Sequence, residues 1–411
     1  VTPPASTLAF VESPVQLLNV LEWAHAEHPA AAAVPAAPSA PSAASAASAA
    51  SAASAAADAA AAGDGPPVLD AMPSQPTRRP AGPPPPPRAG GGGHPVQIVV
   101  LPPTDPMSRG QLRRVATLAR DEGHRVRWQE ARGGALAPFK ALAALCGDVR
   151  RADRIVVGDP FSRFVQLLLA PARAKELVVV DDGTATMEFV AQLGRGERLR
   201  RWHRTGGGPL GRARELAYAP VSATARRRLR HVELFTSMPV TPLDGMRLRV
   251  NDFGWTRARF GPPRLTRGTD LVGTSLVETG VVDPARYQEA VRALAAEHGA
   301  TRYFAHRRES ADKLRALSEA TGLEIVRPDL PLELIARRGP VGRTIVSFPS
   351  TVVHTLPYAL CGTGVTVAVV DVDPAWLTGR ASPRARSFLA GVTETARDVH
   401  GLPAATASAA G

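Results

Sequence analysis

Cysteine is nearly absent from this sequence: Cys146 and Cys361 are the only two. Both sit in apolar, helix-like surroundings and read as small core residues of a reducing compartment, not as a disulfide or thiolate-metal framework. Aromatic residues make up 5% of the chain. Lysine is scarcer still, since of 49 basic residues all but Lys140, Lys175 and Lys313 are arginine. No run of 18 or more apolar residues occurs, which excludes a continuous apolar spanning helix. The start of the sequence lacks a basic segment leading into an apolar core, so the expected location is the cytoplasm or, as a peripheral protein, the inner membrane face. No Walker loop and no G-x-G-x-x-G follows a strand-like run, and there is no G-x-S-x-G elbow. No Cys/His cluster has metal-ligand spacing, so neither metal nor cofactor is expected.

What is present fits two globular domains. The chain has 411 residues, 44% of them hydrophobic, and a formal net charge of +12. The arginine bias, with its excess of alanine and proline, matches GC-rich codon usage and weakens any step from basicity to nucleic acid. A soluble protein meeting anionic substrates or an anionic surface is the preferred reading. Residues 30–94 collapse into Ala, Ser, Pro and Gly, with the three-residue period of "SAASAASAASAASAA" and then "AGPPPPPRAGGGG". Such a stretch lacks side chains to bury and is expected to be a disordered insertion.

Around it the pattern alternates. A strand at 8–11 is followed by Ser13 and Pro14, a capping side chain and a proline suited to the first helical turn. Strands are expected at 96–101, 126–130, 154–157 and 177–180, with helices at 109–122, 139–145 and 162–169 between them. An arginine-dense region, 195–231, comes next, and 232–260 reads as irregular β structure. A second alternation starts at Asp270, with strands at 301–305, 323–326, 344–347 and 365–370. Its helices are expected at 286–297, 312–320, 332–337, 352–360 and 383–399. Near-continuous apolar strands alternating with helices imply parallel sheets covered on both faces. The expected class is α/β, with two Rossmann-like domains facing across a cleft and ligands beyond the carboxyl ends of the strands. The expected division is 1–29 and 95–262 for the first domain, 263–381 for the second, and 382–411 for a terminal helix and tail.

Polar groups stand at several strand ends. "VVVDDGTATMEF" closes a strand with Asp181, Asp182 and Gly183. Adjacent carboxylates repel, and partial burial raises one toward the range of a usable base; a helix cap with a turn glycine explains the same residues. "YFAHRRES" places His306, Arg307, Arg308 and Glu309 after a strand, suited to neutralising a phosphate or to a solvated loop. "SFPSTVVHTL" places Ser347 at a strand end and Ser350 and Thr351 at a helix start, where hydroxyls and backbone N–H groups either bind an anion or simply cap. Glu333 in "DLPLELIARR" either accepts from ribose hydroxyls or is a favourable first-turn acid. "DVD", Asp371 and Asp373, reads as a turn before Pro374 rather than a metal clamp.

Taken in order, "ESPVQLL", "DDG", "LVGTSLVETGVVD" with Tyr287, "HRRE" with Lys313 and Leu314, "PLE" and "SFPST" resemble the bacterial lipooligosaccharide sialyltransferases and capsular polysialyltransferases. The motifs span nearly the whole chain outside the insertion. The resemblance implies a GT-B type glycosyltransferase that uses a CMP-activated sugar without a metal. It implies Asp182 as general base, with Asp181 second. It implies His306, Ser350 and Thr351 at the CMP phosphate, joined at the nucleotide by Arg308 and Ser347, and Glu333 at the ribose. Ser13, Pro14 and Gln16 are implied at the acceptor side. Arg307 departs from the family pattern, where proline usually follows the histidine.

The function so expected is inverting transfer of sialic acid or a related acidic sugar to a cell-surface glycan or glycolipid. A UDP- or GDP-sugar transferase of the same fold is one alternative, and a non-catalytic polyanion or nucleic-acid binder on a degenerate fold is another. Sparse aromatics around the arginines, chiefly Trp202 and Tyr218, speak against single-strand stacking. The arginine-rich segment suits docking to anionic lipid heads or an acidic polymer, and a solvated basic surface accounts for it equally well.

Overall fold

A computed structural model describes residues 6–27 and 95–405, apart from 133, 135, 200–207, 380 and 382, and without the side chains of 208–217, 383 and 384. The 30–94 segment, with the expectation of disorder attached to it, and Trp202 lie outside the described residues.

The strands predicted from apolar runs form two all-parallel sheets. The first contains β1 (Thr7–Val11), β2 (Gln97–Val100), β3 (Arg125–Trp128), β4 (Arg154–Val157), β5 (Glu176–Val180), β6 (Glu233–Thr236) and β7 (Arg247–Val250), in the order 3-2-1-4-5-6-7. Its helices are α1 (Pro14–Glu27), α2 (Pro106–Asp121), α3 (Ala137–Arg151), α4 (Arg163–Leu169), α5 (Ala185–Gly194), α6 (Gly208–Arg228) and α7 (Gly254–Phe260). The second contains β8 (Leu265–Val272), β9 (Ala300–Phe304), β10 (Glu324–Val326), β11 (Val341–Ser347), β12 (Thr366–Val370) and β13 (Ala404–Ala405), in the order 10-9-8-11-12-13. Its helices are α8 (Pro284–His298), α9 (Ala311–Thr321), α10 (Leu332–Arg338), α11 (Val352–Ala359) and α12 (Pro383–His400).

The two-residue period of a strand explains why both faces are covered. Leu8, Phe10, Ile155, Val157 and Val179 enter one core of the first sheet, and Ala9, Val11, Val156, Val178 and Val180 enter the other. Leu271, Val346 and Val370 separate in the same way from Val272, Ile345 and Val369 in the second sheet. Two Rossmann-like halves of this kind make a GT-B fold. Both sheets belong to one compact unit. Leu330 just before α10, Leu334 within it and Ala359 of α11 share a core with Leu17, Leu18, Phe253 and Trp255 of the first half. Each buried leucine there contributes about 1.5–3 kcal/mol, so the junction is held by apolar burial as well as by Gln111 Nε2 donating to the Pro328 carbonyl at 2.8 Å.

One region differs from the sequence expectation, and a second, for which no element is expected, is partly helical. Residues 232–260 are not irregular β structure; they supply parallel strands β6 and β7 and then helix α7. The apolar signal fails at β7 because it is an edge strand whose residues stay largely open to solvent. Part of the arginine-dense 195–231 region is the 21-residue helix α6, hidden in the sequence by Pro220 and a glycine-rich start. The tail after residue 382 completes the second half, with β13 pairing beside β12. Among the described residues no helix is long and apolar enough to cross a membrane.

Candidate active site

In an open parallel sheet the crevice forms where the strand order reverses. In the first sheet that point lies between β1 and β4. The residues leaving those two strands, Glu12, Ser13 and Gln16 on one side and Asp159, Phe161 and Ser162 on the other, line a cavity of about 580 Å³. Asp182 lines it from the end of β5, Tyr218 and Ser222 from α6, and Arg307 and Arg308 from the second half.

The paired acids have opposite environments. Asp181 is 1% exposed and turned inward. Its Oδ1 accepts from the Thr186 and Thr236 hydroxyls at 2.7 and 2.6 Å, and its Oδ2 from the Ser237 N–H at 2.7 Å. Burial pushes its carboxyl up to about 6 against those three donors. Asp182 is half-buried and accepts at Oδ1 from Gln16 Nε2 at 2.9 Å. Of the two, only Asp182 lines the cavity. A buried polar chain fixes this turn: Asn251 Nδ2 donates to Asn19 Oδ1 at 2.9 Å, and Asn19 Nδ2 donates to the Asp181 carbonyl at 3.0 Å.

Gly183 follows with φ 69°. A Cβ there would stand 2.3 Å from Thr351 Oγ1 of the second half. Thr351 Oγ1 also accepts from the Thr184 N–H at 3.2 Å. Glycine therefore serves both the left-handed backbone and the close approach of the two halves. Gly183→Ala is expected to cost about 1–3 kcal/mol, measured as a lower Tm. Adding Thr351→Ala relieves the clash but not the backbone strain, so stability returns only in part.

The loop after β9 is held by one network. Glu309 is 3% exposed. It accepts from the Tyr303 hydroxyl at 2.7 Å and the His306 N–H at 2.6 Å, and pairs with Lys313 Nζ at 2.8 Å. Tyr303 in turn bonds Tyr287 at 2.7 Å, and Lys313 Nζ lies 4.1 Å from the Tyr287 ring centre. Burial pushes the Glu309 carboxyl up and Lys313 opposes it. His306 is driven down to about 4 by burial first, then by Arg307, Arg308 and Lys313. Its Nδ1 accepts from the Arg308 N–H at 3.2 Å, which leaves the proton of the neutral ring on Nε2. The His306 ring is thus neutral near pH 7, and exposed Arg307 and Arg308 carry the positive charge of this loop.

Of the residues singled out from the sequence, Ser13, Gln16, Asp182 and Arg308 line the cavity, and Pro14 starts the buried first turn of α1. His306 is not among the lining residues. Ser347, Ser350 and Thr351 gather at the carboxyl end of β11, beside the order reversal of the second sheet, where Ser347 Oγ donates to the Phe348 carbonyl at 2.9 Å. Glu333 is 3% exposed and accepts from the Thr355 hydroxyl of α11 at 2.6 Å. Asp373 caps a short turn through the Ala375 N–H at 2.7 Å, in line with the turn reading of that motif. Among the described residues no group of three or more His, Cys, Asp or Glu could hold a metal.

Sequence reasoning passed over Glu12, Arg132, Asp159 and Tyr218. Glu12 pairs with Arg132 and accepts from the Ser162 hydroxyl at 2.5 Å. The signal for Asp159 and Ser162 was available, since "GDPFS" follows an apolar strand directly. Tyr218 was visible only as a lone aromatic among arginines.

No family model matches the chain, and no curated protein matches its sequence. Among solved structures it is similar to an alpha/beta-galactoside alpha-2,3-sialyltransferase from Photobacterium phosphoreum, at 7% identity over 98% of this chain and 99% of that one, with a TM-score of 0.46. It is also similar to MurG from Acinetobacter baumannii, at 10% identity over 98% and 86%, TM-score 0.40. A third is the Escherichia coli heptosyltransferase WaaC with ADP-2-deoxy-2-fluoro heptose, at 10% identity over 92% and 91%, TM-score 0.35. The architecture stands on the two sheets described above, independently of these likenesses.

Proposed function

We propose that this protein is an inverting glycosyltransferase that moves a sugar from a nucleotide-activated donor to a glycan acceptor, with Asp182 as general base. The observation that carries this reading is the placement of Asp182 from one half and Arg307 and Arg308 from the other around one cavity. The acceptor hydroxyl gives its proton to the Asp182 carboxylate as its oxygen bonds the anomeric carbon. The bond from that carbon to the nucleotide phosphate breaks, and the phosphate leaves with the electron pair. The two arginines stabilise that charge. Attack opposite the leaving group inverts the anomeric centre.

The donor we favour is a CMP-activated sialic acid or related acidic sugar. The ordered motifs support it, as does a cavity lined by five arginines against Glu12, Asp159 and Asp182. A UDP- or GDP-sugar is the second reading. It is supported by Arg307 in place of the usual proline, which sets a second guanidinium beside Arg308 at the cavity, a pair suited to a diphosphate. The Ser347, Ser350 and Thr351 group belongs to the same proposal as the phosphate-side lining.

Thermal stabilisation by CMP, UMP, GMP and AMP separates these readings. A ligand at a hundredfold excess over its Kd stabilises by about 2.7 kcal/mol. A shift with CMP alone is expected. A shift with UMP or GMP moves the donor to the second reading. No shift with any nucleotide, together with steeply salt-dependent polyanion binding, would overturn the enzyme reading in favour of a polyanion binder.

A further inference from the structure

Gln16 is 1% exposed and makes a hydrogen bond at each end of its amide. Its Oε1 accepts from the Glu12 N–H at 2.7 Å, and its Nε2 donates to Asp182 Oδ1 at 2.9 Å. The amide has only one workable orientation. A backbone N–H can only donate, so the carbonyl oxygen must face Glu12 and the NH2 must face the carboxylate. The stem is fixed as well. The Gln16 N–H donates to Ser13 Oγ at 3.2 Å in the first turn of α1. A Cβ on Gly158, at the end of β4, would come within 2.7 Å of Gln16 Cβ and Oε1. The absence of a side chain at 158 is what gives Gln16 its berth between β1 and β4.

We infer that Gln16 is a positioning residue for the base: it holds the Asp182 carboxylate in place and favours its charged form, and is not itself an acceptor contact. The inference rests on the reading of Asp182 as base. An amide donor to a carboxylate stabilises the ionised state and fixes one oxygen, so the oxygen lone pairs are presented in one direction. The charged groups around Asp182 are its neighbour Asp181, Glu12 and Asp159 of the same half, Arg132, Arg163 and Arg198 of the same half, and Arg307 and Arg308 opposite. The acids are set against the arginines, and Gln16 is the neutral group between Glu12 and Asp182.

The test is the pH dependence of kcat for transfer by the full-length wild type, Gln16→Ala and Gln16→Glu, with nucleotide affinity measured in parallel. Gln16→Ala is expected to lower kcat 10- to 100-fold near neutral pH, with nucleotide affinity within twofold of wild type. Its ascending limb moves to higher pH, so activity recovers as pH rises. Gln16→Glu replaces a donor with a like charge and moves the limb further. An unchanged limb with a raised acceptor KM would overturn the inference and return Gln16 to an acceptor contact. If Gln16→Ala loses its fold, Gln16→Glu and Gln16→Asn carry the same readout. The underlying reading fails separately, when Asp182→Asn keeps full turnover.

Discussion

Asp182→Asn lowers kcat for transfer by a factor of about 10²–10⁴ and leaves nucleotide affinity and Tm close to wild type. The substitution keeps the shape of the side chain, and an asparagine Oδ1 still accepts from Gln16 Nε2, so the turn keeps the bond that holds it. What is lost is the carboxylate proposed to take the acceptor proton. Asp181 gives the opposite result. Removing its carboxyl in Asp181→Ala strands the Thr186 and Thr236 hydroxyls and the Ser237 N–H in a site 1% exposed. Each unsatisfied buried group costs about 1–3 kcal/mol, so this variant loses several kcal/mol of stability. Steady-state kinetics beside thermal melts separate the two acids. Loss of stability with Asp182→Asn, or a purely kinetic effect with Asp181→Ala, would reverse the assignment.

Glu309→Ala has the second large effect, on folding and on donor affinity together. Its carboxylate is the shared acceptor of Tyr303, His306 and Lys313. Without it Lys313 keeps the weaker contacts to Glu278 at 3.4 Å, to the Thr274 carbonyl at 3.4 Å and to the face of the Tyr287 ring. Breaking a buried ion pair from one side costs about 3–5 kcal/mol, and the residual contacts of Lys313 put the expected loss near the lower end. The His306–Arg308 loop loses its anchor at the same time, so nucleotide-induced stabilisation falls sharply. Glu309→Gln keeps one acceptor oxygen but loses the charge that pairs with Lys313, and is expected to fall between wild type and alanine. Urea unfolding with and without nucleotide reads both effects. A variant that melts early but binds nucleotide normally would mean that the network serves folding alone.

The strands of both halves were legible because a parallel sheet buried on two faces writes an apolar run at each strand. Val178, Val179 and Val180 ending in Asp181 are an example, and the switch to acids marks the strand end with it. Where burial is incomplete the signal disappears, as in the edge strand of arginines at Arg247–Val250. The site was legible in part for a different reason. Strand-end polar residues can be found from sequence, but the direction a side chain takes cannot. Asp181 and Asp182 are equivalent in the sequence, and only the Thr186, Thr236 and Ser237 donors, one of them 56 positions away, turn the first inward. Glu333 likewise reads as a first-turn acid whether or not Thr355 lies above it. The tyrosine pair behind Glu309 had the same obscurity, since Tyr287 and Tyr303 meet only through the packing of α8 against β9.

The central claim is that the cavity between the two halves transfers a sugar from an activated nucleotide with Asp182 as its base. The most direct measurement is nucleotide release and product formation from CMP-, UDP- and GDP-activated sugars with a panel of glycan acceptors, run on wild type and Asp182→Asn side by side. The account predicts that wild type consumes one class of donor, CMP-activated acidic sugars first, gives an inverted product, and that Asp182→Asn binds the donor without transferring it. Consumption of a donor at equal rates by both proteins would contradict the account.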